Sequence, residues 1–187
     1  MPNDVPPIAW FDQLGRDDIP TAGWKGANLG ELTAAGLPVP RGFVVTGAGY
    51  LAAMEEAGVR GALMARSDQA RTSADDPAAL REASIELRST VQAAGIPDSL
   101  RAQLDEAYAA LGDKVSVAVR SSATAEDTAG TSFAGMHVTF LNVVGQEALA
   151  ARVLDCWSSL FGERVIAYRA SRRSGTSTTL SPHGSRS

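Results

Sequence analysis

Two consecutive amphipathic stretches, each followed by a glycine, constrain the fold of this chain most. From Pro77 to Gly95, apolar residues recur every three or four positions, which predicts a helix with one apolar face. A second stripe, closed by Gly112, predicts another helix. Asp75 and Asp76, directly before Pro77, are typical of a helix start. The stripes consist of Leu80, Ala83, Leu87, Val91 and Ala94, then Leu100, Leu104, Tyr108 and Leu111.

Shorter segments flank these two helices. β-Branched and aromatic residues predict strands at "RGFVVT", "KVSVAVR" and "HVTFLNV", whereas residues 1–20 are proline-rich and expected to be mostly extended. Helical spacing in "GWKGANLGELTAAG" selects Leu29, Leu32 and Ala35 as an apolar stripe, and further helices are predicted within 47–66 and 146–171. Because helices and strands are mixed and the strands are few, we expect an α+β fold.

Composition excludes several classes of protein. The 187 residues carry a formal net charge of -4, which argues against a nucleic-acid binder because no basic surface dominates. The start, "MPNDVPPIAW", lacks the features of a signal peptide, and no apolar run is long enough to span a membrane. Cys156 is the single cysteine, so no intramolecular disulfide can form. These features predict a cytoplasmic protein without a membrane partner.

Lys25 is the first candidate for binding an anion. It lies in "GWKG", at the expected first turn of a helix, where free N–H groups and the helix dipole favour negative charge. Gly23 and Gly26 would let the backbone approach a ligand closely. The alternative is an ordinary exposed lysine at a helix start, and composition alone favours that alternative.

Arg120 is the second candidate. It ends the strand "VSVAV" and opens a segment of hydroxyl and small residues, an arrangement in which a guanidinium can bind phosphate oxygens in pairs. The alternative is an ion pair with Glu126 or Asp127, and both alternatives remain open. Farther along, Gly135 lacks a Cβ, and Thr139 offers a hydroxyl to a phosphate or to a strand end.

The best-known catalytic and metal-binding patterns are absent from the sequence. It contains no G-x-x-x-x-G-K-[ST], no G-x-G-x-x-G after a strand, no H-E-x-x-H and no cysteine cluster. The histidines are His137 and His183, and neither has the setting of a catalytic triad. We therefore predict no catalytic residue and no metal ligand in this chain.

Four segments, in this order, resemble one enzyme family. They are "KGANLGEL…AGLPVPRGFVVT…Y" from Lys25 to Tyr50, "VAVRSSATAED" from Val117 to Asp127, "SFAGMHVTFLNV" from Ser132 to Val143, and "CWSSLFGERVIAYR" from Cys156 to Arg169. Together they resemble the N-terminal nucleotide-binding region of the phosphoenolpyruvate synthase and pyruvate phosphate dikinase family, to which rifampicin phosphotransferase is related. The resemblance covers about residues 8–173.

The resemblance implies the N-terminal portion of an ATP-grasp-type domain that binds ATP. It implies that Lys25 and Arg120 contact the ATP phosphates, joined by Gly135 through its backbone and Thr139 through its hydroxyl. It also implies Mg²⁺ in the full-length family, with ligands in a later region. This chain departs from the family pattern at 136–138, "MHV", where polar residues are usual.

The domain organisation expected from the resemblance is a partial nucleotide-binding region at 1–173 and a disordered tail at 174–187, where composition changes to Ser, Thr, Gly and Pro. We expect a truncated, frame-shifted or excised form of a longer enzyme, without turnover as an isolated chain. Its partners would be ATP and the downstream domains as a separate chain. The alternatives are a fragment of a rifampicin phosphotransferase-type enzyme and a non-catalytic nucleotide-binding or regulatory remnant.

Overall fold

The computed structural model describes residues 5–122 and 138–174. Two short 3₁₀ turns, Phe11–Gln13 and Arg16–Asp18, follow the first strand. The strands are β1 (Ile8–Trp10), β2 (Phe43–Val45), β3 (Val117–Arg120) and β4 (Thr139–Val143). The helices are α1 (Ile19–Ala34), α2 (Gly47–Glu56), α3 (Arg60–Thr72), α4 (Pro77–Ala94), α5 (Asp98–Leu111), α6 (Gln146–Ser159) and α7 (Glu163–Ser174). Mixed helices and strands agree with the α+β expectation.

The strands of the described region form two antiparallel pairs. In the first pair, Ile8 lies opposite Val45 and Trp10 opposite Phe43. In the second, β3 pairs with β4, and the register shifts between Val117 and Val119. The β3–β4 pair carries Arg120 and Thr139, two of the predicted phosphate-binding residues.

A helical core holds the second strand pair in place. α4 begins at the predicted position, where the Asp76 carboxylate accepts hydrogen bonds from the backbone N–H groups of Ala78 and Ala79. The predicted stripes of α4 and α5 are buried except at their last residues, Ala94 and Leu111, which are half-buried. Both helices pack with α6, which in turn contacts β3 and β4. The largest fully buried side chains of this core are Met54, Leu87, Leu104, Ile166 and Val91.

α1 is a helix as predicted, but its predicted apolar stripe is not its buried face. Leu32 is 41% exposed, and Ala35 is also exposed. The buried face consists of residues with little or no side chain, namely Ala22, Gly23, Gly26, Ala27 and Gly30. A Cβ at Gly30 would lie 2.2 Å from the backbone oxygen of Leu14, so the backbones touch and no larger residue fits.

Two other expectations differ from the structure. The region 47–66 forms two helices, α2 and α3, because Gly58 takes a positive φ of 70° between them. The N-terminal segment contains 3₁₀ turns besides its strand. α7 ends at Ser174, and residues 175–187 of the predicted tail lie outside the described residues, so the tail stays a prediction.

Candidate functional site

A break within α1 positions Lys25. Gly23 has φ 70° and ψ 168°, values that interrupt the helix and that only glycine adopts without strain. Trp24 and Lys25 therefore begin the second part of α1, in agreement with a lysine at a helix start. Gly26 has a packing role, because a Cβ there would lie 2.9 Å from the Val44 side chain, and its approach to a ligand stays a prediction.

The Lys25 side chain reaches the end of β3. Its Nζ donates a hydrogen bond to the backbone oxygen of Ser121 at 2.7 Å, across 96 positions of sequence. The bond is partly buried, so the ammonium charge sits against the strand end at reduced solvent exposure. Two segments that the sequence nominated separately thus meet in one place.

Arg120 and Thr139 are direct neighbours across the β3–β4 pair. Residues paired in this way have Cβ atoms about 4.5–5.5 Å apart and point to the same face. Both are exposed, whereas Val119 and Phe140, the preceding pair, are partly buried against the helical core. The guanidinium and the hydroxyl consequently share the face that points away from the helical core.

Hydrogen bonds extend the pairing one step beyond β3. The Ser121 N–H donates to the Val138 oxygen at 3.0 Å, and the Val138 N–H donates to Ser121 Oγ at 3.0 Å. This double link holds the carbonyl of Ser121 where Lys25 contacts it. Of the four predicted phosphate-binding residues, the structure brings Lys25, Arg120 and Thr139 together, and Gly135 lies outside the described residues, as do Glu126 and Asp127.

The charge of Lys25 also affects the pKa of Cys156 in α6. The pKa of the buried Cys156 thiol is raised from 9.0 to about 11, mainly because burial disfavours the thiolate. The Asp155 carboxylate adds to this rise, and the Lys25 ammonium opposes it. At neutral pH the thiol is therefore protonated, and the positive charge of Lys25 is not neutralised by Cys156.

Two groups that lie near the candidate site were not predicted from the sequence. The backbone carbonyl of Ser121 is one, since a carbonyl contact leaves no mark in the sequence. The second is Arg152 of α6, whose guanidinium lies 4.8 Å from the centre of the Phe140 ring and pairs with Asp155 at 2.7 Å. Arg152 and Thr139 line the same open hollow along β4. The helical spacing of α6 placed Arg152 on a helix but gave no reason to connect it with β4.

Two further features of the described residues bear on the kind of site. Within 5–122 and 138–174, no three His, Cys, Asp or Glu residues are grouped so that they could hold a metal ion. The helices of the same region include none that is both long and apolar enough to cross a bilayer. The arrangement instead concentrates cationic and hydroxyl donors, which are suited to oxygen atoms of an anion.

Comparison with known proteins gives consistent matches. Residues 19–181 match the family model described as "Pyruvate phosphate dikinase, AMP/ATP-binding domain". A probable phosphoenolpyruvate synthase of Methanothermobacter thermautotrophicus is 44% identical over 87% of this chain and 24% of its own length. A second one, of Methanocaldococcus jannaschii, is 44% identical over 87% of this chain and 14% of its own length.

A rifampicin phosphotransferase of Streptomyces sviceus is 40% identical over 88% of this chain and 19% of its own length. This chain therefore spans between 14% and 24% of these three relatives. The family model, by contrast, matches most of the chain. The chain belongs to the pyruvate phosphate dikinase AMP/ATP-binding domain family.

Proposed function

We propose that this chain binds the phosphates of ATP at the end of β3, through the side chains of Lys25, Arg120 and Thr139 and the backbone of Gly135. The observation that carries the proposal is the 2.7 Å hydrogen bond from Lys25 Nζ to the Ser121 carbonyl. That bond places the lysine beside the strand whose last residue is Arg120. The family supports ATP as the ligand.

The three side chains suit a polyphosphate. The Lys25 ammonium brings a positive charge and N–H donors, which suit phosphate oxygens. Arg120 offers a planar pair of donors that matches two phosphate oxygens, and Thr139 adds a hydroxyl on the same face. ATP would supply the phosphoryl group, and these residues would bind and orient it.

We extend the proposal to the fold and to the metal. The fold would be the N-terminal part of an ATP-grasp-type domain, in a cytoplasmic protein. Mg²⁺ would accompany ATP, because phosphoryl transfer depends on neutralising the phosphate charge. The described residues contain no cluster suited to the ion, so we assign it no ligand and no step.

For the protein as a whole, we propose ATP-dependent phosphoryl transfer of the phosphoenolpyruvate synthase type, with pyruvate as acceptor. The two probable phosphoenolpyruvate synthases support this choice. The match to a rifampicin phosphotransferase supports a second candidate, an antibiotic-modifying transferase. Both candidates share the same ATP site, since the three relatives align with the same part of this chain. A non-catalytic nucleotide-binding module is the alternative outside enzymes.

Thermal unfolding with and without MgATP tests the site. A ligand at 100 times its dissociation constant stabilises a protein by about 2.7 kcal/mol, which raises the midpoint by several degrees. We expect this rise in the wild-type chain and its loss in Arg120→Ala and Lys25→Gln. The glutamine keeps an N–H donor, on a side chain one bond shorter, but carries no charge, so it tests whether binding needs the charge of Lys25.

Arg88→Ala is the matched control, because Arg88 is an exposed cation on α4. It should keep the full response to MgATP. A wild-type chain that unfolds cooperatively without any response to MgATP would refute the proposal. An equal response in Arg120→Ala and Arg88→Ala would show that the binding site lies elsewhere.

A further inference from the structure

The hydroxyl of Ser122 is buried and has no hydrogen-bond partner among the residues that the structure describes. Other buried serines contrast with it. Ser84 Oγ donates to the Phe161 oxygen at 2.8 Å, and Ser121 Oγ accepts from the Val138 N–H. An unmade hydrogen bond of a buried hydroxyl costs its lost hydration, so such a group calls for a physical reason.

The position of Ser122 supplies that reason. It directly follows Ser121, whose carbonyl accepts from Lys25 and whose N–H continues the pairing with β4. Ser122 is the second residue beyond the end of β3, next to the link between Ser121 and Val138 and two residues from Arg120.

The hydroxyl can be brought to a ligand by a small motion. Ser122 as a residue is only half-buried, although its oxygen is covered. A serine has a single heavy-atom side-chain torsion with three staggered positions, and rotation about it turns the hydroxyl toward a different partner. An oxygen atom of a bound ligand could thus accept a hydrogen bond from Ser122, and no existing hydrogen bond of the serine would be lost.

We infer that the Ser122 hydroxyl is a phosphate-binding group, which donates to a phosphate oxygen beside Lys25 and Arg120. This inference rests on the proposed function, because it assumes that polyphosphate binds at the end of β3. It adds a residue that neither the motif nor the resemblance selected. It also predicts an unusual pair of effects, since removal of the hydroxyl should weaken binding without a cost in stability.

Calorimetric titration of the chain with MgATP and, separately, with sodium tripolyphosphate tests the inference. In Ser122→Ala, both dissociation constants should rise about tenfold, the effect of a lost hydrogen bond of about 1.4 kcal/mol. Ser122→Thr retains the hydroxyl and should bind both probes within about twofold of wild type, a change below 0.5 kcal/mol. The unfolding midpoint of Ser122→Ala should equal or exceed that of wild type.

Ser84→Ala is the matched control. It removes a buried hydroxyl that has a partner, so it should lower the unfolding midpoint and leave both dissociation constants unchanged. Unchanged binding in Ser122→Ala would overturn the inference, and so would a loss confined to MgATP, which would place the contact on the nucleoside. If the wild-type chain binds neither probe, the proposed function itself fails, which is a distinct result.

Discussion

α1 and α4 each bury one face, but they contact their neighbours in opposite ways. α4 inserts the long side chains of Leu80, Leu87 and Val91 into the helical core. α1 presents mainly glycine and alanine, so its backbone lies directly against Leu14 and β2. Packing by side chains is sensitive to truncation because a cavity remains, whereas packing by close backbone approach is sensitive to any added atom.

This difference in packing between α1 and α4 affects the position of Lys25 in the candidate site. Lys25 lies beside Gly26, in the part of α1 that is pressed against β2. The short distance between helix and strand determines where the lysine side chain starts and therefore whether it reaches Ser121. The small residues of α1 thus serve the geometry of Lys25, whereas α4 supports the site indirectly, through α6 and the β3–β4 pair.

The largest effect is expected from truncation in α4. Leu87 is 1% exposed, and Leu87→Ala should destabilise the chain by about 2–5 kcal/mol, because a cavity adds to the lost burial. Urea unfolding with an unchanged slope would measure this loss. Leu51→Ala, at a 42% exposed position, is the control and should cost much less. Equal losses at the two positions would contradict the comparison.

Enlargement in α1 should come next. Gly30→Ala should cost about 1–3 kcal/mol, because the added Cβ would meet the Leu14 backbone, which cannot move aside as a side chain can. The control is Gly61→Ala in α3, where nothing lies within 4 Å and alanine should stabilise the helix by up to about 1 kcal/mol. Both are measured by urea unfolding. Opposite signs are expected, and a stabilising Gly30→Ala would disprove close packing of α1.

A pH effect is expected at Cys156 of α6. The pKa of Cys156 is raised from 9.0 to about 11 in the folded chain, so the folded state holds this proton more tightly than the unfolded state. The stability that results is complete below pH 9.0 and is lost as the pH rises toward about 11. Unfolding midpoints across this interval should fall less steeply in Cys156→Ala than in wild type.

The pKa of Tyr50 is also raised, to about 12, mainly by burial, so part of the decline at high pH should persist in Cys156→Ala. The slope of the unfolding free energy against pH reports the protons released on unfolding, and this number should differ between mutant and wild type by up to about one. Identical slopes would mean that the Cys156 thiol ionises as readily in the folded chain as in the unfolded one.

The smallest effect is expected at the apolar stripe that the sequence selected on α1. Leu32 is 41% exposed, so Leu32→Gln should change the free energy of unfolding by less than about 0.5 kcal/mol. Urea unfolding at two protein concentrations would measure it. A loss above about 1 kcal/mol, or a concentration dependence, would show that another surface covers Leu32.

Much of the fold could be predicted from the sequence where large apolar residues recur every three or four positions. The spacing of Leu80, Leu87 and Leu104 gave α4 and α5, and Asp76 and Gly95 gave the ends of α4. The same reasoning selected the wrong face of α1. A hydrophobic pattern weights large side chains, and the buried face of α1 has almost none.

The candidate site was predictable in its residues but not in its assembly. Lys25, Arg120 and Thr139 could be nominated from local patterns and from the family resemblance. The orphaned Ser122 hydroxyl and the Arg152 contact with Phe140 could not, because each depends on what distant segments place nearby. Hydrogen-bond partners are set by three-dimensional proximity, which a single sequence does not encode in any short pattern.

The sequence by itself determined the local elements of this protein, because periodicity, capping residues and glycine breaks act within a few residues. It also determined the family, because ordered motifs persist along the chain. Only the tertiary structure decided that Lys25 meets Ser121 and that Arg120 lies opposite Thr139. Those contacts join positions far apart in the chain, and they depend on how closely α1, α6 and two short strand pairs pack.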